Sequence, residues 1–250
     1  MSSYFRSIQR LFGILAKCGV VGGLKLFFAL RANAPSTTVN IPGSGKTLTL
    51  RPKTTDVSVF DQVFIHGLYS DFGPSDPHVI IDAGGHIGCS AISFALRFPH
   101  AKVVVLEPEA SNFTLLTQNT APFPNIVCIQ SALWSRDGEV SILPDSTGST
   151  WGHRAEEPQS TVVAGAVVNR SIRCTSMPSI LREFNISTVD ILKVDIEGAE
   201  AQVFGPGCEE WLGRVRSLVV EVHDRMYPGC SAVVEGALKD FSGEVRLLLE

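Results

Sequence analysis

None of the six cysteines stands in a CxxC pair or a Cys/His ligand spacing. That excludes a disulfide framework and a zinc fold, and reduced core thiols are expected. No stretch recurs at a fixed period, which removes solenoids and propellers. The first 55 residues carry eight Lys or Arg and no acid, while the other 195 hold 13 basic and 25 acidic residues. An acidic body argues against nonspecific nucleic-acid binding, which draws its affinity from phosphate-neutralising contacts. An unbroken apolar run of spanning length is missing as well, because residues 11–30, LFGILAKCGVVGGLKLFFAL, contain Lys17 and Lys25. A phosphate loop is excluded too. IPGSGKTLTL ends like one, but the pattern G-x-x-x-x-G-K-[ST] needs glycine where Asn40 stands, and a strand, TLTL, follows instead of a helix. Gly43-Ser44-Gly45-Lys46 is expected to be a hairpin turn.

What is present is a 250-residue chain with 44% hydrophobic and 18% charged residues, enough for one well-buried domain. Residues 1–40 read as a basic amphipathic helical segment and 41–250 as the main domain. Gly22-Gly23 is expected to loosen the segment into two helices. Arg6, Arg10, Lys17, Lys25 and Arg31 among Phe and Leu fit helices packed on the domain or a basic face lying on lipid; a cleaved or anchoring signal is a third reading. A cytoplasmic location is expected, with membrane association left open, as is the oligomeric state.

Asp56 is expected to cap a helix reaching about residue 68, whose Val59, Phe60, Val63 and Phe64 recur at helical spacing. From residue 79 the pattern alternates: strand 79–82, helix 88–98, strand 102–107, helix 109–119, strand 125–130. Apolar strands alternating with helices predict a Rossmann-like, doubly wound, mostly parallel α/β sheet. Between 134 and 175 the rhythm breaks, predicting an inserted β-hairpin and a mobile loop over a substrate. A helix over 177–184, strands over 189–195 and 216–223, a helix over 231–241 and a last strand in EVRLLL complete the chain.

The segment VIIDAGGHIG, residues 79–88, ends a strand at Asp82 and turns into a helix near Gly88. Such a turn presents backbone amides and a positive helix end to a ligand. For the dinucleotide pattern G-x-G-x-x-G the first glycine would be Ala83, so the match is partial. The next strand, VVVLE, ends in Glu107, 19 residues beyond Gly88, where an acid accepts hydrogen bonds from both ribose hydroxyls. NAD and S-adenosylmethionine both fit that pairing. The order D-x-G-x-x-x-G, with Asp82 two residues before Gly84, favours the methyl donor, which has no pyrophosphate to cradle.

At this point the sequence resembles the FkbM-type S-adenosylmethionine-dependent methyltransferases. The likeness runs through RPKTTD, VIIDAGGHIG, VVVLEPEASNFTLLTQN, VDILKVDIEGAEAQVF and SLVVEVH, about residues 45–225. The family's loop more often reads D-x-G-A-N-x-G, so Gly85 and His86 depart from it. The resemblance implies a class I methyltransferase fold and S-adenosylmethionine held by Asp82, Gly84, Gly85, His86, Gly88 and Glu107. It also implies O-methylation of a hydroxyl on a sugar, glycan or polyketide-like small molecule. A noncatalytic nucleotide-binding module is the alternative from another class, and a dehydrogenase a third. This fold normally closes with an antiparallel strand pair; only EVRLLL remains here, so its partner is expected to be absent or supplied from elsewhere.

Side chains alternate along a strand, so Lys193, Asp195 and Glu197 start on one face, as do Glu221 and His223 on the next strand. Asp195, Glu197 and His223 are the candidate catalytic residues, with His223 the base because its ordinary pKa is about 6.5. The plainer readings are that the two acids brace the following helix and that the histidine makes a structural hydrogen bond. Methyl transfer requires alignment and proton removal, not a metal, and none is assigned; an ion between these oxygens and the imidazole stays open. If Asp195 and His223 lie level, Lys193 and Glu221 form an ion pair within the sheet. His153 is read as a surface residue.

Overall fold

A computed structural model of the chain describes residues 3–143, 154–156 and 170–249. The mobile loop expected over 144–160 and His153 fall mainly outside the described residues.

Six strands form one wholly parallel sheet in the order β12-β11-β10-β3-β4-β5. They are β3 (Val79–Ala83), β4 (Lys102–Leu106), β5 (Ile126–Ile129), β10 (Val189–Val194), β11 (Val215–Val222) and β12 (Glu244–Leu249). Between them run α3 (Cys89–Arg97), α4 (Ala110–Thr120), α5 (Met177–Glu183), α6 (Glu200–Val203), α7 (Glu209–Leu212) and α8 (Cys230–Ala237). Alternation sends Ile80, Val103, Val105, Ile191 and Val219 into one core layer. Ile81, Val104, Leu106, Leu192 and Leu218 enter the layer on the other face. Apolar residues on both faces of one strand make the near-continuous runs seen in the sequence.

The strand order places a switch point between β3 and β10, where successive crossovers leave in opposite directions. The last strand departs from expectation. EVRLLL pairs with β11 in parallel, Val219 opposite Arg246, after a crossover through α8; it is not half of an antiparallel pair. Among the described residues no further strand lies beyond it.

The expected hairpin is β1 (Thr37–Asn40) with β2 (Thr47–Leu50), Asn40 opposite Thr47. A boundary at residue 40 therefore cuts through a hairpin, and residues 37–40 go with the main domain. Asn119 of α4 fastens it: the side chain accepts from Thr49 N and donates to Thr49 O and Ile87 O at 2.8–2.9 Å.

Helix α1 (Ser3–Ala29) is two helices joined at Gly19, whose φ of +68° breaks the turn there and not at Gly22-Gly23. Ile14, Leu26 and Leu30 pack into the core, while Phe12, Val20, Val21 and Phe28 are exposed. The stretch Phe12–Ala29 is long and apolar enough, by length and composition only, to cross a membrane.

Helix α2 (Asp56–Phe60) passes into a π-helical turn over Asp61–Ile65, ending three residues before the expected limit. Its N-cap is Thr55; Asp56 does not cap but turns inward. The expected insert is larger than a hairpin. A four-stranded sheet, β6-β9-β7-β8, joins β6 (Ala132–Trp134), β7 (Gly138–Leu143), β8 (Arg154–Glu156) and β9 (Arg170–Ser176), with β6 parallel to β9.

Candidate active site

One cavity of about 290 Å³ opens at the carboxyl ends of β3, β4, β10 and β11. Gly84, Gly85, His86, Glu107 and Asn112 line it from the β3 and β4 side, and Lys193, Asp195, Glu197 and His223 from the β10 and β11 side. The α2 segment roofs it with Val59 and Val63, and the small sheet adds Trp134 and Val140. Asp82 and Gly88 are not on its wall.

The glycines let the chain approach itself. Gly84 has a φ of +83°, and a Cβ there would overlap the carbonyl oxygen of Asp195. A Cβ on Gly85 would overlap Val105, while Gly88, at φ +97°, packs against Leu116 of α4. Both loop amides, Gly84 N and Gly85 N, donate to Leu106 O at 3.0 and 2.8 Å. The turn is thus pinned to the sheet with its next residues facing the cavity.

Glu107 is 5% exposed, and its carboxylate accepts from His86 N and Glu109 N, both at 2.9 Å. Burial outweighs these bonds and pushes its pKa up to about 7. The His86 ring turns to Asp56, Nε2 lying 3.1 Å from Oδ1, with its backbone at φ +49°. Asp56 is buried and also accepts from Arg51 N, Nε and Nη2 at 2.8 Å. Burial opposes its charge, yet the bonds from His86 and Arg51 hold its carboxyl well below the usual range. Arg51 in turn donates to Asn112, so the RPKTTD segment braces the donor loop from outside.

The neighbouring strands do not lie as expected. Lys193 faces Val219 on β11, two residues short of Glu221, and faces Asp82 on β3. Its Nζ lies 3.2 Å from Asp82 Oδ1 and 3.4 Å from Asp195 Oδ2, and donates to Gly84 O at 2.6 Å. Asp82, also bonded by Ser90 at 2.5 Å, is a buried counterion behind the cavity. Burial alone would lower the lysine's pKa; Asp82 and Asp195 reverse that and raise it.

Asp195, Glu197 and His223 come together. His223 is 1% exposed, its Nδ1 2.9 Å from Glu200 Oε1 and its Nε2 3.8 Å from both Asp195 and Glu197. Burial favours the neutral ring, but Glu200 first, then Glu197 and Asp195, push its pKa up to about 9. These acids favour the protonated ring relative to the ordinary value from which a base was expected. Glu200 is fully buried and also accepts from Ile196 N and Gly198 N at 3.0 and 2.9 Å. Glu197 and Gly198, at φ +56° and +95°, form the sharp turn that this carboxylate closes. Glu200 and Asp56 had no site role in the sequence reading. The signal available for Glu200 was its place in D-I-E-G-A-E, two residues after a turn glycine.

The wall chemistry fits an adenosyl donor. A carboxylate at the end of β4 suits ribose hydroxyls, Gly84 and Gly85 add no side chain to the wall, and Asp195 and Glu197 share the same cavity.

Residues 82–250 match the family model described as the methyltransferase FkbM domain. Methyltransferase sdnD of Sordaria araneosa is 25% identical over 210 residues, 73% of this chain and 80% of that protein. The 2-O-methyltransferase NoeI of Sinorhizobium fredii is 24% identical over 167 residues, 62% of this chain and 67% of that protein. Among solved structures, a precorrin-6y C5,15-methyltransferase from Geobacter metallireducens aligns with a TM-score of 0.38 and 12% identity, covering 68% of this chain and 65% of that one.

Proposed function

The chain belongs to the FkbM methyltransferase family and is a methyltransferase, and from that premise we propose that it transfers a methyl group from S-adenosylmethionine to a hydroxyl of a sugar, glycan or polyketide-like small molecule. The observation that carries this reading is one cavity lined both by Glu107, a ribose-type acid, and by the acid–imidazole cluster of Asp195, Glu197 and His223. The O-methyltransferase name of one relative supports the choice of oxygen as acceptor.

In this reading Glu107 accepts the ribose hydroxyls, and the turn at Gly84 and Gly85 borders the methionine end. When bound, S-adenosylmethionine supplies an electrophilic methyl on a sulfonium. Asp195 and Glu197 hold the acceptor hydroxyl by accepting its hydrogen bond. An oxygen lone pair forms the new O–C bond, the C–S pair stays on sulfur, and the hydroxyl proton passes to a carboxylate. His223, held by Glu200, orients those acids. Alignment supplies most of the effect, because the donor arrives activated.

The test is incubation with methyl-labelled donor and a panel of sugars and hydroxylated small molecules, followed by mass spectrometry. A gain of one methyl, abolished in Asp195→Asn, is expected; NAD binding by calorimetry without S-adenosylhomocysteine binding would overturn the reading. The exposed Phe12, Val20, Val21 and Phe28, flanked by Lys17, Lys25 and Arg31, support peripheral contact with an anionic lipid surface. Cosedimentation with phosphatidylserine vesicles, lost in Phe12→Ser with Phe28→Ser, tests it.

A further inference from the structure

Asp195, Glu197 and His223 each offer one ligand atom, and the three atoms lie within 4.8 Å of one another. Nε2 of His223 stands 3.8 Å from Asp195 Oδ1 and 3.8 Å from Glu197 Oε2. That is too long for a hydrogen bond. It lies within the span of two ligands that each sit about 2.0–2.3 Å from one shared ion, and small rotations of the two partly exposed carboxylates bring them to the roughly 3 Å between neighbouring octahedral positions.

The ring cannot turn to improve either contact. It is 1% exposed, and Nδ1 is held by Glu200 at 2.9 Å, which leaves Nε2 toward the two acids. Histidines that ligate metals commonly give their second nitrogen to a carboxylate in this way. The same Glu200 holds the backbone amides of Ile196 and Gly198, which fixes the turn carrying Glu197. Asp195 and Glu197 keep side-chain exposures of 22% and 23% and line the cavity.

We propose that Asp195, Glu197 and His223 bind one divalent cation of the magnesium or manganese class at the acceptor end of the cavity, with Glu200 a positioning residue for the imidazole. Two carboxylates and one imidazole suit such an oxygen-seeking ion with positions left for water or substrate. The cation's part in catalysis rests on the methyl-transfer reading; its binding does not. There it draws the acceptor's hydroxyl oxygen against the acids and makes the proton easier to lose, the proton leaving to a carboxylate or to water while the oxygen takes the methyl.

The full chain is titrated with Mn²⁺ alone, without donor or acceptor, and the free ion is followed by electron paramagnetic resonance. One ion per chain, displaced by Mg²⁺, is expected, with an imidazole nitrogen coupling in the pulsed spectrum. Glu197→Gln and Asp195→Asn each weaken binding about tenfold or more. Glu200→Gln weakens it about 10–100-fold and alters the nitrogen coupling, while Glu235→Gln, exposed on α8, changes nothing. Should Glu200→Gln not fold, Glu197→Gln decides on its own. A folded chain without a stoichiometric Mn²⁺ ion, or equal affinity in wild type and Glu197→Gln, overturns the proposal. Calorimetry with S-adenosylhomocysteine, run separately, shows whether the donor reading stands or falls on its own.

Discussion

Lys193 is the cation of a buried set, and among the described residues its ammonium, at 3.2 Å, is the positive partner of Asp82. Lys193→Met leaves that carboxylate uncompensated, and a loss of about 3–5 kcal/mol in urea unfolding is expected. Adding Asp82→Asn recovers most of it, because the charge that lost its partner is then gone. Glu107 makes stability depend on pH. Its folded pKa of about 7 lies above the ordinary 4.5. Its contribution is therefore complete below about 4.5 and lost as pH rises through about 7. The thermal midpoint of the ligand-free protein should fall between about pH 5 and pH 8, and Glu107→Gln should flatten that slope. Gly84→Ala combines a positive φ with overlap on a neighbouring backbone atom. A loss of about 3 kcal/mol or more is expected from the same unfolding measurement.

Element by element, the hairpin β1–β2 depends on α4 through one side chain. Asn119→Ala removes three hydrogen bonds and strands buried polar groups, so a loss of about 2–3 kcal/mol is expected, with hydrogen exchange accelerating in Thr47–Leu50 first. The existence of these elements was legible in the residues. Apolar runs ending in Asp82, Glu107 and Asp195 marked the parallel strands, and Gly43-Ser44-Gly45-Lys46 marked the hairpin. Register was not legible. Alternation fixes which side chains share a face on one strand but says nothing of the offset to its neighbour, so Lys193 was set against Glu221 when it faces Asp82 and Val219. The short strands β6 and β8, three residues each, carry too few positions for a period to appear. The setting of His223 was hidden for a different reason: Glu200, which raises its pKa, lies 23 residues away in sequence and beside it only after folding.

On the scale of the whole molecule, six parallel strands with the switch between β3 and β10 put the crevice where a ligand meets both halves of the sheet. Binding of S-adenosylhomocysteine to the folded state alone should therefore stabilise it, by about 2.7 kcal/mol at a hundredfold excess over Kd. Differential scanning calorimetry reads this as a raised midpoint, and Glu107→Ala should erase the rise. The two halves meet closely enough that Gly84 leaves no room for a Cβ beside Asp195, and Lys193 ties them further through Asp82 and Gly84 O. Substrate preference is thus separable from reach. Exchanging Trp134, Val140 or the α2 roof alters which molecule enters, while the span from methyl source to attacking oxygen stays as the scaffold sets it.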